Sequence, residues 1–225
     1  MEKGKKDAIL LTVIAIATLL VAIVGATFAF FTARLTGAES TNTVTITSAS
    51  GGTTTFSGGS SITVENIYPR TEAWATKSVV ITSASTYAYK YKLTLNYTNS
   101  FNDGEVKYTM TPATNYCSVY GKLDQASCTA ASGTWETSAA GSFTTKTGWF
   151  NSTTGNVDLG EATFADQSTA AARSHAYVLT ITYPDTGNNQ NYASTNNGSS
   201  EDTTNSSNNH NKAVTAWVTI TELNS

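Results

Sequence analysis

From Tyr87 to Tyr97 the chain reads YAYKYKLTLNY. Its odd positions, Tyr87, Tyr89, Tyr91, Leu93, Leu95 and Tyr97, are aromatic or aliphatic. Its even positions, Ala88, Lys90, Lys92, Thr94 and Asn96, are small or polar. Successive side chains of a strand point to opposite faces, so this spacing predicts one long half-buried strand with an aromatic and leucine inner face.

The same period recurs towards the C-terminus. Tyr177, Leu179, Ile181 and Tyr183 alternate with Ala176, Val178, Thr180 and Thr182. Val214, Ala216, Val218 and Ile220 alternate with Thr215, Trp217, Thr219 and Thr221. Shorter strands are expected at Thr43–Ser48, Thr53–Phe56, Ser61–Asn66, Thr76–Thr82, Val106–Met110, Ser142–Thr145 and Asn156–Thr163. Turn signals lie between them at Gly51-Gly52, Gly58-Gly59, Asn66…Pro69 and Asn102-Asp103-Gly104. Past Gly37 no helical period stands out, and the composition is rich in Thr, Ser, Asn, Gly and Tyr, which favour strands and turns. The expected fold is therefore all-β: an antiparallel β-sandwich, jelly-roll-like, preceded by an N-terminal hydrophobic helix, with a closed barrel as the competing arrangement.

Two regions depart from the alternation. Residues 111–140 read as a loop excursion with Trp135 folded back on the sheet. Residues 186–211, an Asn/Ser/Thr tract with almost no apolar residue, read as a mobile excursion between the last two strands, unable to offset its ordering entropy by burial. The first excursion carries the two cysteines, Cys117 and Cys128. In an exported chain such a pair forms a disulfide, and its short loop would gain about 3 kcal/mol on the chain-entropy account.

Export is indicated by the N-terminus. Ala8–Phe31, AILLTVIAIATLLVAIVGATFAFF, has no charged residue and follows a head containing Lys3, Lys5 and Lys6. A helix of that length spans the ~30 Å apolar core of a bilayer. Thr27 and Ala29 occupy the −3 and −1 positions of a signal cleavage site, making Phe30 the mature N-terminus. The alternative is an uncleaved anchor with its lysines held inside. The resulting division is 1–29, signal peptide or membrane anchor; 30–42, linker; and 43–225, a single β-sandwich domain.

The chain has 13 Lys and Arg against 16 Asp and Glu, and three of those lysines lie in the head. A mildly acidic chain with scattered charges gives no reason to expect nucleic acid, and the membrane enters only through the N-terminal segment. Catalytic signatures are also lacking. His175 and His210 are the only histidines, both expected as surface residues, and no HExxH pair, GxSxG elbow or phosphate loop occurs. Asp158 with Glu161, and Asp185, Glu201 and Asp202, offer at most a weak calcium site of no recognised spacing. Asn96, Asn151, Asn197 and Asn205 fit the glycosylation pattern, which arises often by chance in such a chain. No cofactor, catalytic residue or metal ligand is expected.

The segment Gly25-Ala-Thr-Phe-Ala-Phe-Phe-Thr32 resembles the signal ending of the TasA and camelysin family of Gram-positive exported proteins, which a SipW-type signal peptidase removes. Ile62–Glu72 resembles that family's strand-then-turn, and the two closing strand runs resemble its last two strands. The cysteine-bearing middle departs from the family. The resemblance implies a jelly-roll domain at the cell surface or in the extracellular matrix that self-assembles into biofilm fibres by donor-strand exchange. The donor would include Phe30, Phe31, Val44 and Ile46. It also raises camelysin-like metalloprotease activity, which the missing zinc signature argues against. A surface-anchored, adhesin-like binding module using the two excursions is the alternative to the fibre subunit.

Overall fold

In the computed structural model the described residues are 13–19, 43–47, 53–139, 143–185 and 212–223, the strand at 43–47 by its backbone alone. The chain divides into two compact units, Met1–Arg34 and Leu35–Ser225. In the first, residues 13–19 form a short helix, α1, with Val13, Ile14, Ile16 and Leu19 exposed. Among the described residues no helix is long and apolar enough to cross a membrane. The cleavage positions Thr27, Ala29 and Phe30, the donor residue Phe31, His210 and the tract 186–211 lie outside the described residues.

Among its described residues the second unit is built from strands β1 (Thr43–Thr47), β2 (Thr53–Ser57), β3 (Ile62–Glu65), β4 (Ala75–Ser83), β5 (Tyr89–Asn99), β6 (Lys107–Ala113), β7 (Asn115–Cys117), β8 (Trp135–Thr137), β9 (Lys146–Trp149), β10 (Thr154–Phe164), β11 (Arg173–Thr182) and β12 (Ala213–Leu223), with one helix, α2 (Gln125–Ala130). Every strand pairing is antiparallel. One sheet runs β1-β2-β4-β11-β6-β9 and the other β10-β5-β12-β3, with β7 and β8 forming a small separate ribbon. Setting aside β1, β2 and that ribbon, the remaining eight strands counted in chain order give 2-7-4-5 in one sheet and 6-3-8-1 in the other. This is the double Greek-key order of a jelly roll, in which successive strands alternate between sheets except for the β6–β9 hairpin, which stays within one sheet.

The long runs behave as their period requires. Tyr89, Tyr91, Leu93, Leu95 and Tyr97 of β5 face inwards, as do Val214, Ala216, Val218 and Ile220 of β12 and Tyr177, Leu179 and Ile181 of β11. Each large apolar side chain buried this way contributes ~1.5–3 kcal/mol of transfer free energy. Tyr87 departs from the expected pattern and is 59% exposed. The strand starts two residues later because Ser85 Oγ accepts the Tyr87 N–H and Asp166 Oδ1 accepts the Ala88 N–H, so the backbone is turning there. The strand expected at 142–145 is displaced to β9, starting at Lys146.

Two edge strands approach the core closely. Gly155 of β10 lies opposite Tyr97, and Gly148 of β9 lies opposite Tyr108. A Cβ at either glycine would run into the facing tyrosine ring. Phe150 packs between those rings, 4.8 Å from Tyr97 and 5.4 Å from Tyr108 by centroid, and so links the two sheets.

Candidate functional site

The region expected as a loop at 111–140 carries regular structure. β7 and β8 pair with Asn115 opposite Thr137 and Cys117 opposite Trp135. Between them α2 is capped by Asp124, whose carboxylate accepts the Ser127 N–H and hydroxyl; these bonds hold the carboxyl below its usual range. Cys117 and Cys128 are joined in a disulfide that ties the ribbon to the helix. Six residues are too few for a period to show in the sequence, which is why α2 escapes a reading by periodicity.

This insert lies on the outer face of the six-stranded sheet. Ser138 Oγ accepts the Ala176 N–H, and the Ala139 N–H reaches Ser174 O. Ser174 is consequently buried although it points away from the core. Its hydroxyl bonds Thr82 Oγ1 at 2.7 Å and the Tyr116 hydroxyl at 2.8 Å. Tyr116 also donates to Glu136 Oε2 at 2.5 Å. Burial and the neighbouring Glu136 raise the Tyr116 pKa, so its hydroxyl stays a donor at physiological pH.

Between insert and sheet is a cleft of about 320 Å³. Its floor follows from the register of β2 and β4. Phe56 of β2 and Val79 and Ile81 of β4 point into the core, so Thr55, Ser57, Ser78, Val80 and Thr82 point outwards and line it. Tyr116, Cys117, Ser118, Tyr120 and Glu136 form its wall. Tyr120 is 36% exposed, with its hydroxyl 3.1 Å from Ser60 Oγ.

A second polar group is internal. His175, expected at the surface, is only 3% exposed because it falls on the inward face of β11. Its ring stacks on Phe164 at 3.8 Å, and Nδ1 lies 2.7 Å from the Tyr91 hydroxyl, which is 2.6 Å from the Tyr177 hydroxyl. Burial, aided by the positive charge of Arg173, lowers the His175 pKa to about 4. The ring is therefore neutral, and the chain of bonds is satisfied when Tyr177 donates to Tyr91 and Tyr91 to Nδ1. Burial pushes Tyr177 up to about 12 and Tyr91 further. This is a packed internal network, sealed from substrate.

The remaining sequence candidates are dispersed. Asp158 and Glu161 each reach a lysine, Lys92 at 3.8 Å and Lys90 at 2.7 Å, and among the described residues no group of three metal-ligating side chains forms. Asn96 is part of β5 and donates through Nδ2 to Thr219. Val44 and Ile46 belong to β1, which pairs with β2 from Thr43 opposite Ser57 to Thr47 opposite Thr53 and has no second neighbour among the described residues. Similarly, β3 pairs with β12 only along Ala213–Ala216, so among the described residues no strand flanks 217–223 on that side.

No protein-family model matches the chain, and no curated protein matches it.

Proposed function

We propose that this chain is an exported structural subunit of the cell surface or extracellular matrix that assembles with further copies of itself by strand addition, with no enzymatic role. The observation that carries this reading is the position of β1: an edge strand at the N-terminal end of the sandwich with β2 as its one described neighbour. Such a strand can leave its own sheet and take the equivalent place in another copy, because its backbone bonds are the same in either position. Donation of this kind is head-to-tail, and where its rotation does not close into a ring it propagates a filament. The disulfide suits an oxidising, extracytoplasmic setting, and the resemblance of Gly25–Thr32 to the TasA and camelysin signal ending points the same way. Negative-stain electron microscopy of the chain beginning at Phe30 tests it. Fibres that disappear on deleting residues 30–47 are expected; a particle that stays monomeric under all conditions, with or without the deletion, contradicts it.

A second reading, a membrane-anchored surface binding module, is favoured by the cleft under the disulfide-bound insert. N-terminal sequencing of the protein from its native host separates the two. A start at Phe30 supports release and assembly, and an intact lysine-rich head supports the anchor.

A further inference from the structure

We propose that the cleft between the insert and the outer face of β2 and β4 binds a neutral saccharide. It deepens the binding-module reading and does not depend on fibre assembly. The alternation of β2 and β4 places Thr55, Ser57, Ser78 and Thr82 side by side on the cleft floor. Hydroxyl groups both donate and accept, as the hydroxyls of a sugar do, so such a floor is matched to a polyol without requiring charge.

The wall supplies what the floor lacks. Tyr120 offers an exposed aromatic surface for the C–H face of a sugar ring, and its hydroxyl is tethered by Ser60. Glu136 accepts from Tyr116 through Oε2. Among the described residues nothing donates to its other oxygen, which is left to accept from a pair of sugar hydroxyls. Val80 and Cys117 add small apolar contacts. The described lining contains no cation, and Glu136 is its one carboxylate, so an anionic ligand meets repulsion. Lys77, which shares Ser60 with Tyr120, is buried and donates to Ser60 Oγ at 3.3 Å. One carboxylate also does not provide the acid and partner carboxylate that glycoside hydrolysis commonly uses, so the expected event is binding without cleavage. At about 320 Å³ the cleft is at the small end of ligand sites, which run from roughly 300 to 1,000 Å³. Tyr116, held by Glu136 and Ser174, and Cys117, held by the disulfide, fix the wall before a ligand arrives, which lowers the ordering cost of binding.

The test is a ¹⁵N chemical-shift titration of the oxidised protein with methyl α-glucoside, methyl β-galactoside and N-acetylglucosamine, using glucuronate and glucosamine as charged controls. At least one neutral sugar should give saturable shifts centred on the amides of Thr55, Ser78, Thr82, Ser118 and Glu136, with a Kd of order 1 mM. Tyr120→Ala should weaken that binding about tenfold, and Glu136→Gln, which keeps the volume, by a similar factor. Reducing the Cys117–Cys128 bond should abolish it. The proposal is overturned if no neutral sugar saturates, if a charged control binds as tightly, if the shifts centre elsewhere, or if both substitutions leave the affinity unchanged. The anchor question is answered separately by N-terminal sequencing, so the two outcomes remain distinguishable.

Discussion

The jelly-roll core and the insert at residues 114–139 are held by different forces. The core is a set of period-two faces buried against each other, with Tyr91, Leu93, Leu95, Leu179, Val218 and Ile220 fully out of water. The insert has few such residues: Cys128 is buried and Cys117 nearly so, while Tyr116, Trp135 and Glu136 are half-covered. It relies on one covalent bond, a capped turn of helix and a group of hydroxyl bonds. One region is stabilised cooperatively and over long sequence distances, the other locally. A cleft can therefore be shaped by the insert without altering the sandwich beneath it.

The largest effect that would test this division is expected in the core. Leu93→Ala leaves a cavity between the sheets and should lower the unfolding free energy by ~2–5 kcal/mol, read from the denaturant midpoint. A loss below about 1 kcal/mol would mean that the inner face of β5 is not packed as described.

Replacing Cys117 and Cys128 together by Ser should remove about 3 kcal/mol from the insert, on the chain-entropy account. Hydrogen exchange should then show lost protection in β7, α2 and β8 but retained protection in β5 and β12. Uniform loss across both regions would contradict the separation.

His175 gives a pH-dependent effect within the core. Its folded pKa of about 4 lies below the ~6.5 of an unfolded histidine, so the unfolded chain binds the extra proton first. Stability should be fully present above ~6.5 and should fall as pH drops towards 4, by up to about 3 kcal/mol. Urea midpoints measured at several pH values should show this loss, and His175→Gln should flatten it. An unchanged slope in the variant would place the titration elsewhere.

The smallest effect is expected on the outer face of the four-stranded sheet. Lys90 and Glu161 form an ion pair at 2.7 Å, but both side chains are nearly half exposed to solvent. Glu161→Gln should therefore change stability by less than about 1 kcal/mol, and raised salt should erase even that. A larger loss would show that this face contributes more than solvation.

Legibility in the sequence followed the same division. β5, β11 and β12 stood out because every second residue is apolar over a long run and both neighbours in the sheet require that parity. β10 was harder. Gly155, Val157 and Leu159 turn inwards at odd positions, then Ala162 and Phe164 at even ones, because a bulge between Asp158 and Gly160 shifts the register by one. The cysteine pair could be read from count and compartment, but its surroundings could not: α2 depends on a single cap, and β7 and β8 on pairing with each other. The burial of His175 was available in principle, since it shares the odd parity of Tyr177, Leu179 and Ile181. Its polarity hid it, and the Tyr91 hydroxyl across the core, together with the Phe164 ring stacked on it, makes that burial tolerable. The cleft floor is likewise written in the outward positions of β2 and β4, but nothing in their sequence states that an insert lies over them.

The strand-addition reading is tested most directly by cross-linking β1 to β2. Thr45 and Thr55 are partners in the antiparallel register. Thr45→Cys and Thr55→Cys are made in separate chains, mixed, allowed to assemble and then oxidised. The account predicts a disulfide between the two chains in assembled material, with none in the monomer fraction. Assembled fibres in which no such interchain bond forms, while a chain bearing both substitutions closes it internally, would contradict it.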